Sequence, residues 1–412
     1  MGLFTPSVRK PQVPSLKPRM NESKATRYQR LRRRARAASV GSAALMLALI
    51  ALTPVSRWLR EFALTFAGGL SGVTAAGVAL VLFVVLVVVL WELASLPAAI
   101  YLARRVDSAY GQSAPSPPSI EEILGEQAQA TLVVLPAALA ASGAVLVAVQ
   151  LAGAWWWVVA GPILALLLAL ALRLAPFLFA RLGRVRPLDR PSLTARLSTL
   201  AARARIPVVG IDEWVVDESS PATALVTGVG PTRRILLSSE IARRWADDEV
   251  VVVVAHELAH HVYRDLWRTF AVHVALLWAS LFAAQLVVTR LSVGGAGDLA
   301  ALPLVALVTF GIWILATPLR HAQSRGHERR ADTYALALTG GVEAFGAAVT
   351  RLGARHLAEE HPSAITRWMY HSHPSVAERL ALAESFHKAR SQPSHPSSSS
   401  SSATTRRGSW SP

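Results

Sequence analysis

The 412-residue sequence contains no cysteine. Disulfides are therefore excluded, and so is a metal site built on thiolates; any bound metal must be held by imidazole and carboxylate. The absence does not fix a compartment. Charge is scarce as well: 17% of residues are charged against 52% hydrophobic, a balance too apolar for an ordinary soluble chain of this length. Acids are scarcest near the amino end. In residues 1–38, Glu22 is the sole acid facing a series of bases that includes Lys10, Lys17, Arg19, Lys24, Arg27, Arg30, Arg32, Arg33, Arg34 and Arg36.

Long apolar runs, in contrast, are abundant. They cover 38–55, 72–102, 131–151, 155–179, 266–288 and 299–319. One such run alone would suit a buried core helix, but six near spanning length indicate a polytopic helical membrane protein. Trp155, Trp156 and Trp157, between the third and fourth runs, suit an interfacial belt. The first run follows the basic arm directly, with no small-residue cleavage site, so it is expected to stay as an anchor. That juxtaposition favours a cytoplasmic flank over a targeting peptide or a nucleic-acid arm. With the amino terminus inside, the Arg-rich loops at Arg104 and Arg105, at 181–205 and at 320–330 all fall inside. The opposite loops at 152–154 and 292–298 carry no base; the loop with Arg57 and Arg60 is the exception. The expectation is a multi-pass cell-membrane protein with its carboxyl terminus cytoplasmic.

Between the runs lies Val251-Val252-Val253-Val254-Ala255-His256-Glu257-Leu258-Ala259-His260-His261. Positions i and i+4 of a helix share a face, so His256 and His260 point at one metal ion, and Glu257 is placed as a general base toward water there. Asp247, Asp248 and Glu249 supply an acidic first turn. The valines are poor helix formers that a buried helix tolerates. The orientation above puts this motif on the cytoplasmic side.

A zinc hydrolase needs a third protein ligand and an open position. His261, His321, His327, Glu328 and Asp332 are candidates. His261 points off the ligand face, toward solvent or an interface. Glu328 and Asp332 are four apart on an expected helix over 326–338, so Glu328 fits a ligand and Asp332 a partner that orients a ligand imidazole; His327 competes with Glu328. Upstream, 193–204 reads as an amphipathic helix and 207–216 as a strand. The segments 224–229 and 234–238 read as a hairpin, whose edge suits either a small structural sheet or an added peptide strand.

Several segments taken together resemble the integral-membrane zinc endopeptidases that include the type 1 CAAX prenyl protease and HtpX. Ser324-Arg325-Gly326-His327-Glu328-Arg329-Arg330-Ala331-Asp332 resembles the element whose Glu is the third zinc ligand there. Tyr110-Gly111-Gln112-Ser113 and Pro187-Leu188 resemble two earlier elements of the family. Thr223-Ala224-Leu225-Val226-Thr227-Gly228 resembles the strand lining the substrate groove, and His373-Pro374 with Arg379 resembles a His-Pro element near the scissile carbonyl. The resemblance covers roughly residues 70–385 and is nearer the prenyl-protease branch. It departs at Thr223, where the family usually has Asn, in the Pro-rich loop after Tyr110, and in having one span fewer.

The resemblance implies one Zn²⁺ per chain on His256, His260 and Glu328, with Asp332 behind them. Glu257 would be the catalytic base, His373 and Arg379 would steady the oxyanion, and Thr223, Ala224, Leu225, Val226 and Gly228 would line the groove. The fold class expected is mainly α, a polytopic membrane bundle with a small α+β zincin domain. Its divisions are a basic arm (1–37), four transmembrane helices (38–180), a cytoplasmic catalytic segment (181–265), a transmembrane hairpin (266–320), a third-ligand and carboxyl-terminal catalytic segment (321–388), and a Ser-rich disordered tail (389–412). The expected partners are a peptide or membrane-protein substrate and the lipid bilayer, with no nucleic acid. The competing reading is a membrane scaffold with a structural zinc.

Overall fold

The computed structural model describes residues 23–111, 116–182, 184–215, 222–228, 230–291, 294–355, 357–359 and 362–391. Most of the basic arm, Gln112, Ser113, Val216, Val229 and the tail beyond 391 lie outside these. All six apolar runs are helical, in a mainly α architecture with one four-stranded sheet.

The first run belongs to α1 (Lys24–Leu52), which starts well before residue 38, capped by Ser23 accepting from the Thr26 amide at 3.2 Å. The described part of the basic arm is thus continuous with the first apolar helix. Tyr28 is buried and donates to Asp107 Oδ1 at 2.8 Å, and Arg33 reaches Glu359 at 2.6 Å. The loop expected after this run is itself a helix, α2 (Val55–Ala67). There follow α3 (Gly72–Tyr101), α4 (Ile120–Ala152) and α5 (Trp156–Leu182). α4 begins eleven residues before the apolar run it contains, because Ser119 and Glu122 form a reciprocal capping box there. Between α4 and α5, Gly153 takes φ +53°, which a residue with a Cβ adopts at a cost, and the chain folds back so that the two helices pack together. Trp156 leaves the expected belt: it is buried and its indole donates to Gln285, while Trp155 stays exposed.

The second half of the bundle is α9 (Asp265–Leu291) and α10 (Leu302–Leu315). The latter bends by 49° into α11 (Thr317–Thr339). Among the described residues, four continuous helical stretches suit a crossing by length and composition, one of them the folded-back α4–α5 unit, and the bent pair adds a fifth if it is taken as one span. The bundle core is rich in alanine: Ala51, Ala63, Ala67, Ala79, Ala148, Ala160 and Ala284 are all buried. Small residues let helices approach closely where lipid gives no hydrophobic drive for association.

The remaining elements are β1 (Arg184–Pro187), α6 (Pro191–Arg203), β2 (Gly210–Val215), β3 (Ala224–Thr227), β4 (Arg234–Ser238), α7 (Ser239–Arg244), α8 (Asp247–Val262), α12 (Val342–Arg355), α13 (Ala364–Tyr370) and α14 (Val376–Ser391). The sheet order is β1-β2-β4-β3, with β2 and β4 parallel and the outer pairs antiparallel. The hairpin expected over 224–238 is β3–β4; β1 was not legible as a strand. Leu193, Leu197 and Leu200 of α6, Ile235 and Leu237 of β4, and Val250, Val254 and Leu258 of α8 form one core. Val252, on another side of α8, packs with Phe345 and Val349 in a second. α8 is therefore covered on opposite faces, which is why a run of valines persists as helix: each buried side chain contributes about 1.5–3 kcal/mol, well above its propensity deficit.

Candidate metal centre

α8 is the element on which the centre is built. At its start the Glu249 carboxylate accepts from the Ala246 amide at 3.2 Å, and Asp247 and Asp248 are tied to Arg190 and Arg196. His256 and His260 then stand one turn apart, ring centroids 5.0 Å apart and edge to face. α11 packs along α8 and brings Glu328 between them. The carboxylate lies 3.4 Å from His256 Nε2 and 3.7 Å from His260 Nε2. Donor atoms of the three side chains all fall within 4.8 Å of one another.

Both imidazoles turn Nδ1 away from this point. His256 Nδ1 meets Asp332 Oδ1 at 2.8 Å, and His260 Nδ1 meets Asp265 Oδ2 at 3.0 Å. A proton on each Nδ1, donated to its carboxylate, leaves both Nε2 lone pairs directed at the shared space. The carboxylates are themselves held: Arg379 grips Asp332 through Nε at 2.8 Å and Nη2 at 2.5 Å, and Arg330 reaches Asp265 at 3.0 Å. Two nitrogens and one oxygen, oriented from behind, are a donor set suited to Zn²⁺.

Electrostatics in the metal-free centre follow from this packing. Burial opposes charge on His256, but the hydrogen bonds it donates to Asp332 and Glu328 outweigh it and carry the imidazole up to about 9. Burial likewise pushes Glu328 up, and the contact with His256 overrides it, holding the carboxyl at about 2. Asp332 is held below the usual range, its burial outweighed by His256 and Arg379. Glu257 moves the other way: burial raises its carboxyl above the usual range despite His256 and His260 nearby.

A cavity of about 470 Å³ opens on the three donors. Glu257 and His373 line its polar part, and Val253, Phe345, Val349 and Leu352 form an apolar wall. His373 Nε2 is 3.4 Å from Glu328 Oε1, its side chain is 65% exposed, and Ser372 Oγ lies 3.0 Å from its Nδ1. Arg379 also touches the cavity, but its guanidinium is committed to Asp332 and lies over the Phe345 ring.

The expected groove strand is β3, at the edge of the sheet. Thr223 O accepts from the Ser238 amide at 2.8 Å, and its own amide donates to Ser238 Oγ at 3.0 Å. By the alternation of an antiparallel ladder, Leu225 and Thr227 also turn their backbone to β4, while Ala224 and Val226 turn theirs outward. One of those outward groups is taken: His261 Nε2 donates to Val226 O at 2.9 Å. His261 is thus half-buried against the edge strand, off the ligand face and at an interface rather than in solvent, and burial lowers its pKa. Gly228 has φ +87°, and a Cβ there would meet the Thr232 carbonyl oxygen at 2.5 Å, so it serves the turn.

His327 does not join the donors. Its Nε2 is 3.8 Å from Asp265, on the far side of His260. His321 is likewise outside the one metal-compatible group found among the described residues. Asp265 and Arg330 escaped the sequence reading. The signal for Asp265 is an acid five residues after His260, just past the helix end at Val262; Arg264, at φ +56°, swings it back toward the imidazole.

Residues 187–386 match the family described as Peptidase family M48. The Bacillus subtilis (strain 168) "Uncharacterized metalloprotease YhfN" is 29% identical over 218 residues, which are 51% of this chain and 50% of that protein. A "Protease HtpX homolog" of Acaryochloris marina (strain MBIC 11017) is 32% identical over 215 residues, 48% of this chain and 72% of that one. The chain therefore spans half the length of its Bacillus relative. The crystal structure of S. mikatae Ste24p superposes with a TM-score of 0.71, covering 87% of each chain at 18% identity, a likeness of fold.

Proposed function

The chain belongs to peptidase family M48, and on that premise we propose that it is a membrane-embedded, zinc-dependent endopeptidase that hydrolyses peptide bonds of peptides or membrane proteins at the cytoplasmic face. One observation carries the reading. His256, His260 and Glu328 converge at the wall of an open cavity, with both Nδ1 atoms held on carboxylates and Glu257 beside them. A structural zinc is normally closed off by four protein ligands; three ligands facing a cavity suit catalysis instead.

Bound there, Zn²⁺ would polarise the scissile carbonyl and lower the pKa of the attacking water toward about 7. Glu257 takes the proton from that water and returns it to the leaving amine. Its burial, which raises the carboxyl pKa, makes it a stronger base than an exposed glutamate. His373, at the exposed rim next to Glu328, is placed to donate to the developing oxyanion. Arg379 acts one step back, as a positioning residue that fixes Asp332 and through it His256. A substrate strand adding to β3 meets the outward backbone of Ala224 and the Val226 amide, and pairing stops where His261 occupies Val226 O. The cytoplasmic assignment is supported by the arginines clustered in the segments 104–105, 181–205 and 320–330.

The test is Glu257→Gln in the purified, reconstituted protein. It is expected to keep bound zinc at wild-type stoichiometry and to lose about 10²–10⁴-fold in cleavage of unfolded or membrane peptides. Undiminished cleavage would remove Glu257 from the chemistry. Membrane-fraction proteomics with the same variant identifies substrates as peptides that accumulate uncut.

A further inference from the structure

α2 connects the first two long apolar helices and is broken from them at Thr53–Pro54 and at Gly68–Ser71. It lies at the end of the bundle away from the metal centre: Arg33 contacts Glu359, which is 3.9 Å from His371, two residues before the His373 that reaches Glu328, and Leu52 is nineteen residues, a rise of about 28 Å, beyond Arg33. Its circumference divides into three. Ser56, Ala63 and Ala67 are small, buried and turned to the bundle. Trp58, Phe62 and Phe66 recur every fourth residue along one flank, 67%, 56% and 70% exposed, with the two Phe rings stacked at 6.4 Å. Arg57 and Glu61 occupy the other flank, with the partly exposed Leu64 beside Arg57; at 3.6 residues per turn Arg57 sits about 140° from Phe62. Arg60, on the edge between the charged flank and the bundle, ion-pairs with Asp298 at 2.5 Å, in the short connection between α9 and α10.

We propose that α2 lies in the plane of the membrane, its Trp58–Phe62–Phe66 stripe sunk into the acyl–headgroup boundary of the leaflet opposite the metal centre. The proposal rests on the membrane-embedded reading above, since the occupant is that same bilayer. Chain continuity identifies it: α2 follows within three residues of α1, the first expected span, whose Leu45, Leu49 and Leu52 are likewise exposed. The charged flank and the Arg60–Asp298 pair fix which side stays wet. An aromatic stripe beside a charged flank, on a helix too short to cross, is the composition of an interfacial segment that sinks about 5–10 Å. This accounts for the loop that broke the pattern of inner positive charge. Arg60 is offset by Asp298 and Glu61, and Arg57 rests at the headgroups.

The absence of native cysteine makes the test direct. Phe62→Cys, Arg57→Cys and Leu49→Cys, each the sole cysteine of the full chain, are nitroxide-labelled in phosphatidylcholine–phosphatidylglycerol vesicles. Collision rates are then read with dioxygen, which partitions into lipid, and with a water-soluble nickel chelate. Retained zinc binding reports that each variant is folded. The label at 62 is expected to collide several-fold more with dioxygen than with nickel, at shallower depth than the label at 49, and the label at 57 to show the reverse preference. Equal nickel access at 62 and 57 overturns the proposal, as does shielding of 62 from both reagents, which would mean that protein covers the stripe. Nickel access at 49 would instead remove the membrane span itself, so the two failures are told apart.

Discussion

The two imidazoles of the metal centre are steadied by carboxylates that reach them in opposite ways. On the His256 side, Asp332 comes from α11, 76 positions away, is fully buried at 0% exposure, and is clamped by two nitrogens of Arg379. On the His260 side, Asp265 comes from the next turn of chain, is 4% exposed, and shares its charge with Arg330 and, more distantly, His327 and Arg268. One flank is a tertiary contact held by a single bidentate partner. The other is a local contact spread over several weak ones. The first is therefore costly to disturb and the second tolerant, because a fully buried charge that loses its guanidinium is left with one imidazole N–H and no water.

The largest expected effect tests that asymmetry directly. Asp332→Asn removes the acceptor for His256 and strands Arg379, so zinc affinity is expected to fall toward 100-fold, whereas Asp265→Asn falls nearer 10-fold, by competition with a fluorescent chelator. Equal losses would show that the two flanks are equivalent. A second test uses pH. With His256 titrating at about 9 in the metal-free protein, zinc binding displaces its proton, and apparent affinity should rise about tenfold per pH unit up to about 9, then level off. The sign for stability follows from the same shift. The folded value lies above the unfolded one, so His256 stabilises the metal-free fold fully below about 6.5, and this is lost as pH rises through about 9. Asp332→Asn should move the levelling point to lower pH, and Asp265→Asn should leave it in place. Next in size, Arg379→Ala is expected to cost about 2 kcal/mol of stability, since it leaves a fully buried carboxylate with only the His256 imidazole as partner. Arg330→Ala, from a side chain 41% exposed, should cost about 1 kcal/mol or less in the same denaturant titration.

The same division governs what could be read from the sequence. His256, Glu257 and His260 were legible because their relation is set within one helical turn. Glu328 and Asp332 were legible as a helical pair, but the choice of Glu328 over His327 came from family resemblance, since spacing alone does not say which way α11 is rolled against α8. Arg379 was tied to the oxyanion because its sequence gives no sign that Asp332 would claim two of its guanidinium nitrogens. His261 was left between solvent and an interface for the same reason: its acceptor, Val226 O, exists only once β3 lies against α8. In the bundle, composition located the apolar runs but not their ends, which are set by caps such as Ser119 and by the short separate helix α2.

The smallest effect concerns the turn that makes the His260 flank local. Arg264 holds φ +56°, a conformation that costs a residue with a Cβ about 1–2 kcal/mol, and it does so to redirect the chain between α8 and α9. Arg264→Gly removes that strain but adds about 0.5–1 kcal/mol of unfolded-state freedom, so a net gain of about 0.5 kcal/mol is expected. If the turn only delivers Asp265, zinc affinity should not change, because glycine keeps the same backbone. Arg264→Pro forbids the positive φ, and should displace Asp265 and reproduce the affinity loss of Asp265→Asn without touching the carboxylate itself. A proline variant that binds zinc as tightly as the native chain would show that His260 is oriented by something other than the chain reversal at Arg264, and the local flank would lose its explanation.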